Sequence, residues 1–309
     1  MSRLTALSAV LVLGLGLAAC GGGSDGAEPD VPSEPDATPA SDADLGRVVA
    51  LGEEFLLADL LALGITPVAS TATVADEGFQ GVDAWDTEGI VAYPSYEANL
   101  EALAAERADV IVATEFIVDQ VGREVLEAAA AEELVVIGDA GGTEQLDELA
   151  AAFDRPAEAA ALEAELDEAI ATASSAVPDG CEVSLGTIYP DRSPAAWVAA
   201  PNAAAIVAEE LGCELSPSAE TAAPDGSGRI YLSLEQVGLF DAPLLVLLQS
   251  DLVPGEADAL AAMADDPLWQ QLPAVEAGEV HEIDRLGYPG VAGQIRLYQD
   301  LAEILGDAS

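Results

Sequence analysis

The chain has 309 residues, and 57 Asp and Glu against nine basic side chains give it a formal net charge of −48. This charge excludes nucleic-acid binding, because affinity for nucleic acids comes mainly from basic contacts to phosphate. All nine basic residues are Arg, so no Lys is present to form a Schiff base or a phosphate-binding loop. The acidity is compatible with a solvated, self-repelling surface, with high external salt and with GC-rich codon usage.

Residues 1–19 have the pattern of a lipoprotein signal peptide. Arg3 precedes a run of apolar or small residues from Leu4 to Leu17, and the sequence then continues as Ala-Ala into Cys20. The run is shorter than the roughly 20 residues that a membrane-spanning helix needs. Its ending resembles the bacterial lipobox, which implies cleavage before Cys20 and lipidation of the Cys20 thiol. We therefore predict a protein anchored by lipid on the extracytoplasmic face of the cell membrane.

Residues 20–44 are predicted to be a disordered acidic linker. After Cys20 this stretch consists mainly of Gly, Ser, Pro, Ala and acidic residues, and it has no basic residue. Such a composition cannot bury enough apolar surface to offset the chain entropy lost on folding. The remaining residues are enough for two modest domains, each with its own core.

Residues 45–152 alternate between short apolar runs and helical patterns, which predicts an N-terminal α/β lobe with a parallel sheet. The predicted strands cover residues 47–51, 66–69, 89–93, 109–113 and 134–137. The predicted helices cover residues 55–63, 99–107, 123–133 and 143–153.

Residues 153–178 are predicted to form the helix between two lobes, since residues 157–175 contain neither Gly nor Pro and place apolar side chains on one face. Residues 179–309 then repeat the α/β plan as a C-terminal lobe. Strands are predicted at 182–189, 229–232, 243–248 and 280–283, and helices at 202–211, 256–264 and 295–305. The predicted fold class is α/β, with two small lobes that have central, mostly parallel sheets and are joined by one long helix.

Cysteine usage predicts one disulfide. With Cys20 assigned to lipid, Cys181 and Cys213 are the two cysteines that remain. Because an exported protein is in an oxidising compartment, we expect these two to form a disulfide with each other.

Several segments together resemble the iron-siderophore substrate-binding proteins of ABC importers. They include residues 60–68 (LLALGITPV), 108–112 (ADVIV), 233–236 (SLEQ) and 267–280 (PLWQQLPAVEAGEV), and the match runs in order from about residue 45 to 305. The resemblance implies a monomer without enzymatic activity or cofactor, which holds a ferric siderophore between its lobes and delivers it to a permease dimer. It also implies that Glu101 and Glu235 meet Arg residues of that permease. Haem, cobalamin and bare ferric iron remain alternative ligands.

The residues that follow the predicted strands are the candidates for ligand contacts, because open parallel sheets bind ligands beyond the carboxyl ends of their strands. A bulky chelate needs flat aromatic walls and a few charged anchors. The candidate walls are Trp85, Tyr93, Tyr96, Trp197 and Tyr288, and the candidate charged groups are Glu115, Arg192 and Arg285. The acidic residues near these positions make the cleft neutral to negative, which favours a neutral or cationic ferric hydroxamate over an anionic ferric catecholate.

The sequence gives less support to two other functions. Bare ferric iron would require Tyr93, Tyr96, Glu115 and His281 to converge, but His281 lies inside an alternating, strand-like run. No metal site is therefore predicted. An extracytoplasmic hydrolase would need a nucleophile beside a base, and the sequence suggests no such pair.

Overall fold

The structure is a computed structural model that describes residues 45–95, 100–130, 132–139, 141–199, 203–221 and 224–307. All of these residues belong to one compact unit. The predicted signal peptide, Cys20, the linker up to residue 44 and Tyr96 lie outside the described residues. Within the described ranges, no helix has the length and apolar character needed to cross a membrane.

The N-terminal lobe has a parallel β-sheet at its centre. Its strands are β1 (Val48–Leu51), β2 (Ala69–Ala72), β3 (Val91–Pro94), β4 (Val110–Thr114) and β5 (Glu133–Ile137). They lie side by side in the order β3-β2-β1-β4-β5. The two central strands, β1 and β4, are almost entirely buried, as expected for apolar strands covered on both faces.

Helices cover both faces of this sheet. They are α1 (Glu53–Ala62), α2 (Leu100–Glu106), α3 (Glu115–Val121), α4 (Arg123–Ala129) and α5 (Gly142–Phe153), with a 3₁₀ turn at Ala75–Glu77. Side chains of β1 alternate between two clusters: Val48 and Ala50 pack with α1 and α5, whereas Val49 and Leu51 pack with Leu126 of α4.

The predicted helix between the lobes is α6 (Pro156–Ala176), which begins with Pro at a position where the missing N–H costs little. It leads into the C-terminal lobe. The strands of that lobe are β6 (Glu182–Ile188), β7 (Pro194–Trp197), β8 (Glu214–Leu215), β9 (Arg229–Tyr231), β10 (Leu244–Gln249) and β11 (Val280–Asp284). Its helices are α7 (Ala203–Ala205), which continues as a π-helix over Ile206–Glu210, then α8 (Glu256–Ala264), α9 (Pro273–Ala277) and α10 (Gly290–Asp307), with 3₁₀ turns at Leu234–Leu239 and Trp269–Gln271.

The C-terminal sheet is mixed, with the order β11-β10-β6-β7-β9 and with β8 paired to β6. Strands β11, β10, β6 and β8 are parallel, whereas β7 runs antiparallel to both of its neighbours. Strand β7 was not among the predicted strands. A strand of four residues that opens with Pro194 has a weak local signal, since Pro is confined to strand starts, edges and bulges.

Three predicted boundaries are corrected by the hydrogen bonding, and one of them is the start of the closing helix, which begins at Gly290 and not at residue 295. The second strand was predicted at residues 66–69, but β2 begins at Ala69, and Pro67 has no N–H to donate to a ladder. The helix predicted over residues 123–133 ends at Ala129, and Glu133 already belongs to β5. The predicted disulfide is present: Cys181 and Cys213 are bonded at the starts of β6 and β8.

Asp59 of α1 connects the N-terminal lobe to α10 through hydrogen bonds. Its buried carboxylate accepts the Val291 backbone N–H at 2.7 Å and the Gln145 side-chain N–H, also at 2.7 Å. Gly290 has a φ of +64°, and a Cβ there would overlap the Asp59 carboxylate. Burial raises the pKa of Asp59 to about 6, and the two hydrogen bonds oppose this rise.

Arg296 of α10 makes a second connection between the lobes. Its guanidinium donates to the carbonyl oxygens of Gly81 at 2.5 Å and of Gly287 at 2.7 Å. The N-terminal lobe is therefore hydrogen-bonded to α10 at two places, Val291 and Arg296.

Replacing Asp59 by Asn tests the protonation of this carboxyl group. The native pKa of about 6 lies above the ordinary value of 3.8, so the folded protein binds this proton more tightly than the unfolded chain. The resulting contribution to the free energy of unfolding is complete below about pH 4 and is lost as the pH rises to about 6. We expect the free energy of unfolding of Asp59→Asn minus that of the wild type to increase by roughly 3 kcal/mol between about pH 4 and pH 7.

Urea denaturation at a series of pH values measures this difference. The matched control is Asp266→Asn, which changes a half-buried Asp whose Oδ1 accepts the Leu268 backbone N–H at 2.8 Å. If the Asp59→Asn difference changes with pH no more than that of the control, the assignment is wrong.

Candidate ligand-binding site

A cavity of about 330 Å³ lies between α1 and the C-terminal sheet. It is at the carboxyl ends of β10 and β11, where open parallel sheets usually bind their ligands. Its lining residues come from both lobes and are mostly apolar or aromatic: Phe55, Trp197, Ala203, Ile206, Leu248, Ile283, Arg285, Tyr288, Gln294 and Leu297.

Phe55 is the contribution of the N-terminal lobe to this cavity. The next two residues of α1, Leu56 and Leu57, are fully buried, so the helix turns the Phe55 ring outward, where it is 58% exposed. An exposed aromatic side chain beside an inter-lobe cavity provides apolar surface for a ligand.

Trp197 lines the cavity from the C-terminal sheet and belongs to a cluster with Tyr189, Arg229 and Tyr231, which we call the aromatic wall. Trp197 pairs with Arg229, and Ala195 pairs with Tyr231, so the three large side chains share one face of the sheet. The Arg229 guanidinium carbon lies 5.3 Å from the Trp197 ring centroid and 5.4 Å from that of Tyr231. These are cation–π distances.

Hydrogen bonds fix the orientation of the aromatic wall. Arg229 donates from Nη1 to the Tyr189 hydroxyl oxygen at 2.6 Å. Trp197 donates its indole N–H to Thr187 Oγ1 at 2.8 Å, and the Thr187 hydroxyl donates to the Leu248 carbonyl at 2.7 Å. Burial raises the pKa of Tyr189, although the Arg229 charge opposes the rise, so its phenol stays neutral at physiological pH.

The two Arg residues at the aromatic wall, Arg229 and Arg285, are each paired with a carboxylate. Arg229 Nη2 lies 3.1 Å from Asp225 Oδ2, and Arg285 Nη1 lies 2.5 Å from Glu256 Oε1. Glu256 is only 1% exposed and also accepts the Ser250 backbone N–H at 2.9 Å. The Arg229 backbone N–H, the Ser227 hydroxyl and other hydrogen bonds lower the pKa of Asp225 to about 2, so this carboxylate is charged at neutral pH. The two guanidinium charges are therefore balanced locally.

The family model for periplasmic binding proteins matches residues 48–285, which is most of the chain. The chain belongs to this family. Among curated protein sequences, none matches it significantly. Because family members bind solutes, this periplasmic binding protein is not an enzyme, as the sequence resemblance implied.

Solved structures show the same fold. The siderophore periplasmic binding protein from the fuscachelin gene cluster of Thermobifida fusca is 25% identical, with a TM-score of 0.65 over 85% of this chain and 98% of that one. FeuA of Bacillus subtilis, a triscatecholate siderophore binding protein, is 18% identical with a TM-score of 0.66 over 88% and 94%. FhuD2 of Staphylococcus aureus with bound ferrioxamine B is also 18% identical, with a TM-score of 0.65 over 85% and 99%. The predicted two-lobe α/β fold is confirmed.

Three of the predicted site residues line the cavity of this periplasmic binding protein: Trp197, Arg285 and Tyr288. The Tyr288 hydroxyl donates to Asp300 at 2.6 Å, and burial raises its pKa. Arg192 lies instead in the turn between β6 and β7, where it is exposed and has a φ of +64°.

Of the predicted residues of the N-terminal lobe, the three that the structure describes do not line the cavity. Trp85 packs beside α1 against Leu57 and neighbouring apolar residues. Tyr93 packs on the cluster that contains Val49 and donates its hydroxyl to Glu106 at 2.6 Å. Glu115 is exposed at the first residue of α3.

The bare-iron alternative gains no geometric support. His281 lies on β11 and contacts Glu279 at 3.4 Å, whereas Tyr93 on β3 and Glu115 at the start of α3 belong to the N-terminal lobe. In the part of the chain that the structure describes, no group of three or more His, Cys, Asp or Glu side chains converges as metal ligands would.

Sequence reasoning missed Phe55, Tyr189, Arg229 and Tyr231. Arg229 and Tyr231 are two residues apart in a predicted strand, so a period of two would have placed them on one face. Their contact with Trp197 depends on the pairing of β7 with β9, which are separated by more than 30 residues.

Proposed function

We propose that this protein is the extracytoplasmic substrate-binding component of an ABC importer, which captures a ferric siderophore between its lobes and delivers it to a permease dimer. The observation that carries the proposal is the inter-lobe cavity, which is lined by Phe55 from the N-terminal lobe and by Trp197 of the aromatic wall from the C-terminal lobe. A flat, mostly apolar surface with few polar groups suits a bulky chelate. Solved relatives named for siderophores share the fold and nearly the full length.

We propose further that the chelate is neutral or cationic. The relatives are named for a triscatecholate and for ferrioxamine B, so the fold is compatible with different chelates in those proteins. The charge of this chain's own cavity must therefore select the ligand. Arg229 and Arg285 are each paired with a carboxylate, which leaves no large excess of positive charge for a triply anionic ferric catecholate.

Titration of the purified protein tests the function and the ligand class together. The probes are ferrioxamine B, a trianionic ferric catecholate, haem, cobalamin and ferric citrate, with binding followed by Trp fluorescence and calorimetry. We expect ferrioxamine B to bind at least about tenfold more tightly than the catecholate, since the balanced Arg residues offer the anion little attraction. Tighter binding of the catecholate than of every hydroxamate would reverse the ligand class, and tight binding of haem, cobalamin or ferric citrate alone would establish one of the alternatives.

A pair of variants locates the ligand within the protein. Trp197→Ala removes part of the cavity lining, and we expect it to weaken chelate binding about tenfold or more. Trp85→Ala removes a ring that packs beside α1 outside the cavity, and we expect it to retain the wild-type affinity. Equal losses in both variants would mean that the ligand does not occupy this cavity.

Docking to the permease is proposed to use Glu101 and Glu235. Both are exposed, with Glu101 on α2 of the N-terminal lobe and Glu235 in the 3₁₀ turn of the C-terminal lobe. The backbone N–H of Glu235 and the Ser233 hydroxyl lower the pKa of the Glu235 carboxyl, so it is charged at neutral pH. One exposed carboxylate per lobe suits charge-assisted pairs with Arg residues of a permease dimer.

The double variant Glu101→Ala with Glu235→Ala is expected to abolish uptake of the ligand by whole cells and to leave its affinity for the purified protein unchanged. The matched control is Glu124→Ala with Glu276→Ala, which removes the same charge from exposed positions on α4 and α9. Uptake at the wild-type rate by the first double variant would refute docking through these residues.

The lipid anchor is proposed to sit on Cys20. We expect the mature protein to begin at a diacylated Cys20 and the Cys20→Ser variant to leave the membrane fraction or to remain unprocessed. Intact-mass analysis of the membrane-extracted protein measures both features. A mature N-terminus at another residue, without lipid, would contradict the anchor.

A further inference from the structure

The turn that precedes β9 holds Arg229 through two separate sets of bonds to Asp225. Oδ1 of Asp225 organises the turn: it accepts the Ser227 N–H at 2.9 Å, the Ser227 hydroxyl at 2.7 Å and the Arg229 N–H at 3.0 Å. Oδ2 binds the Arg229 side chain, at 3.2 Å from Nε and 3.1 Å from Nη2. The fold of the turn and the neutralisation of Arg229 thus depend on different oxygen atoms.

The other contacts of the Arg229 guanidinium are with aromatic side chains. Nη1 donates to Tyr189, and the planar group lies within cation–π distance of Trp197 and Tyr231. An Arg arranged in this way holds aromatic rings in place, whereas an Arg that anchors an anionic ligand needs N–H groups directed at that ligand. Arg285, 6.0 Å from the Tyr189 ring, has its charge balanced by the buried Glu256.

We propose that Asp225 sets the charge selectivity of the ligand cavity by neutralising Arg229 inside the aromatic wall. The wall then presents ring surface without net positive charge, and it accepts neutral or cationic chelates in preference to anionic ones. Arg229 is a positioning residue for Trp197 and Tyr231. The selectivity part of this inference rests on the proposed function, whereas the neutralisation of Arg229 is a property of the protein without ligand.

Asp225 is the better of the two acidic partners for a test. Glu256 is buried, so its removal would leave an unpaired charge in the interior and destabilise the lobe. Asp225 lies at the surface, and Asp225→Asn keeps an Oδ1 for the turn while it replaces Oδ2 by an N–H₂ group that cannot accept from Arg229. This variant therefore exposes the Arg229 charge and leaves the turn folded.

The first measurement needs no chelate. In a Trp85→Phe background, the remaining Trp residues are Trp197 and the buried Trp269, so quenching by solutes reports mainly on Trp197. We expect Asp225→Asn to increase quenching by iodide about twofold, because the exposed guanidinium attracts the anion to the ring, and to leave quenching by neutral acrylamide unchanged. The matched control is Asp266→Asn, which removes the same charge from a turn on the opposite face of the C-terminal sheet from Trp197, where Met263 and Trp269 pack. We expect this control to change neither iodide quenching nor acrylamide quenching.

The second measurement uses the chelates. We expect Asp225→Asn to shift the ratio of affinities for the trianionic ferric catecholate and ferrioxamine B about tenfold toward the catecholate. Arg229→Gln removes the cation of the same ion pair and leaves the Asp225 charge exposed. We therefore expect this variant to lower iodide quenching and to shift the ratio of affinities toward cationic ferrioxamine B. Opposite shifts in the two variants cannot arise from a general loss of structure.

The outcomes separate this inference from the proposed function. If the wild type binds none of the chelates, the proposed function fails, and iodide quenching still decides whether Asp225 neutralises Arg229. If chelates bind but iodide quenching is the same in Asp225→Asn as in Asp266→Asn, the inference is overturned and the function stands. An unchanged affinity ratio in Asp225→Asn, with increased iodide quenching, would equally overturn the role in selectivity.

Discussion

The hydrogen bonds of the Asp59 carboxylate fix the arrangement on which the ligand cavity depends. A buried charge is costly unless donors satisfy it, and here the donors come from α5 and from the first turn of α10. The partial positive charge at the start of α10 adds to this attraction. Because α10 also provides Gln294 and Leu297 to the cavity lining, one carboxylate on α1 determines where part of the site lies.

The site itself combines rigidity with little net charge. The indole of Trp197 is fixed through Thr187 to the backbone of β10, and the guanidinium of Arg229 is held on three sides. Side chains that are already ordered lose little conformational entropy when a ligand arrives, so more of the contact energy contributes to affinity. The same rigidity keeps each cation beside its own carboxylate, so the aromatic wall retains its neutral character.

Local sequence patterns predicted the fold well and the site only in part. Strand and helix alternation, the long helix α6 and the Cys181–Cys213 bond follow from apolar runs, Gly and Pro positions and cysteine number, all of which are read along the chain. The failures concern direction and pairing. Tyr93 was chosen at a strand end, but its ring points toward α2, and Arg229 reaches Trp197 only through the register of two strands distant in sequence.

Two glycines control how closely the lobes approach. Gly290 lies against Asp59, and Gly81, with a φ of +68°, lies against Pro289 and the backbone of Gly287. At both places a single methyl group would overlap atoms of the other lobe, and both positive φ values favour glycine. A substitution at either position would therefore require the two lobes to separate locally. Neither glycine lines the cavity, so the spacing of the lobes is controlled by residues outside its lining.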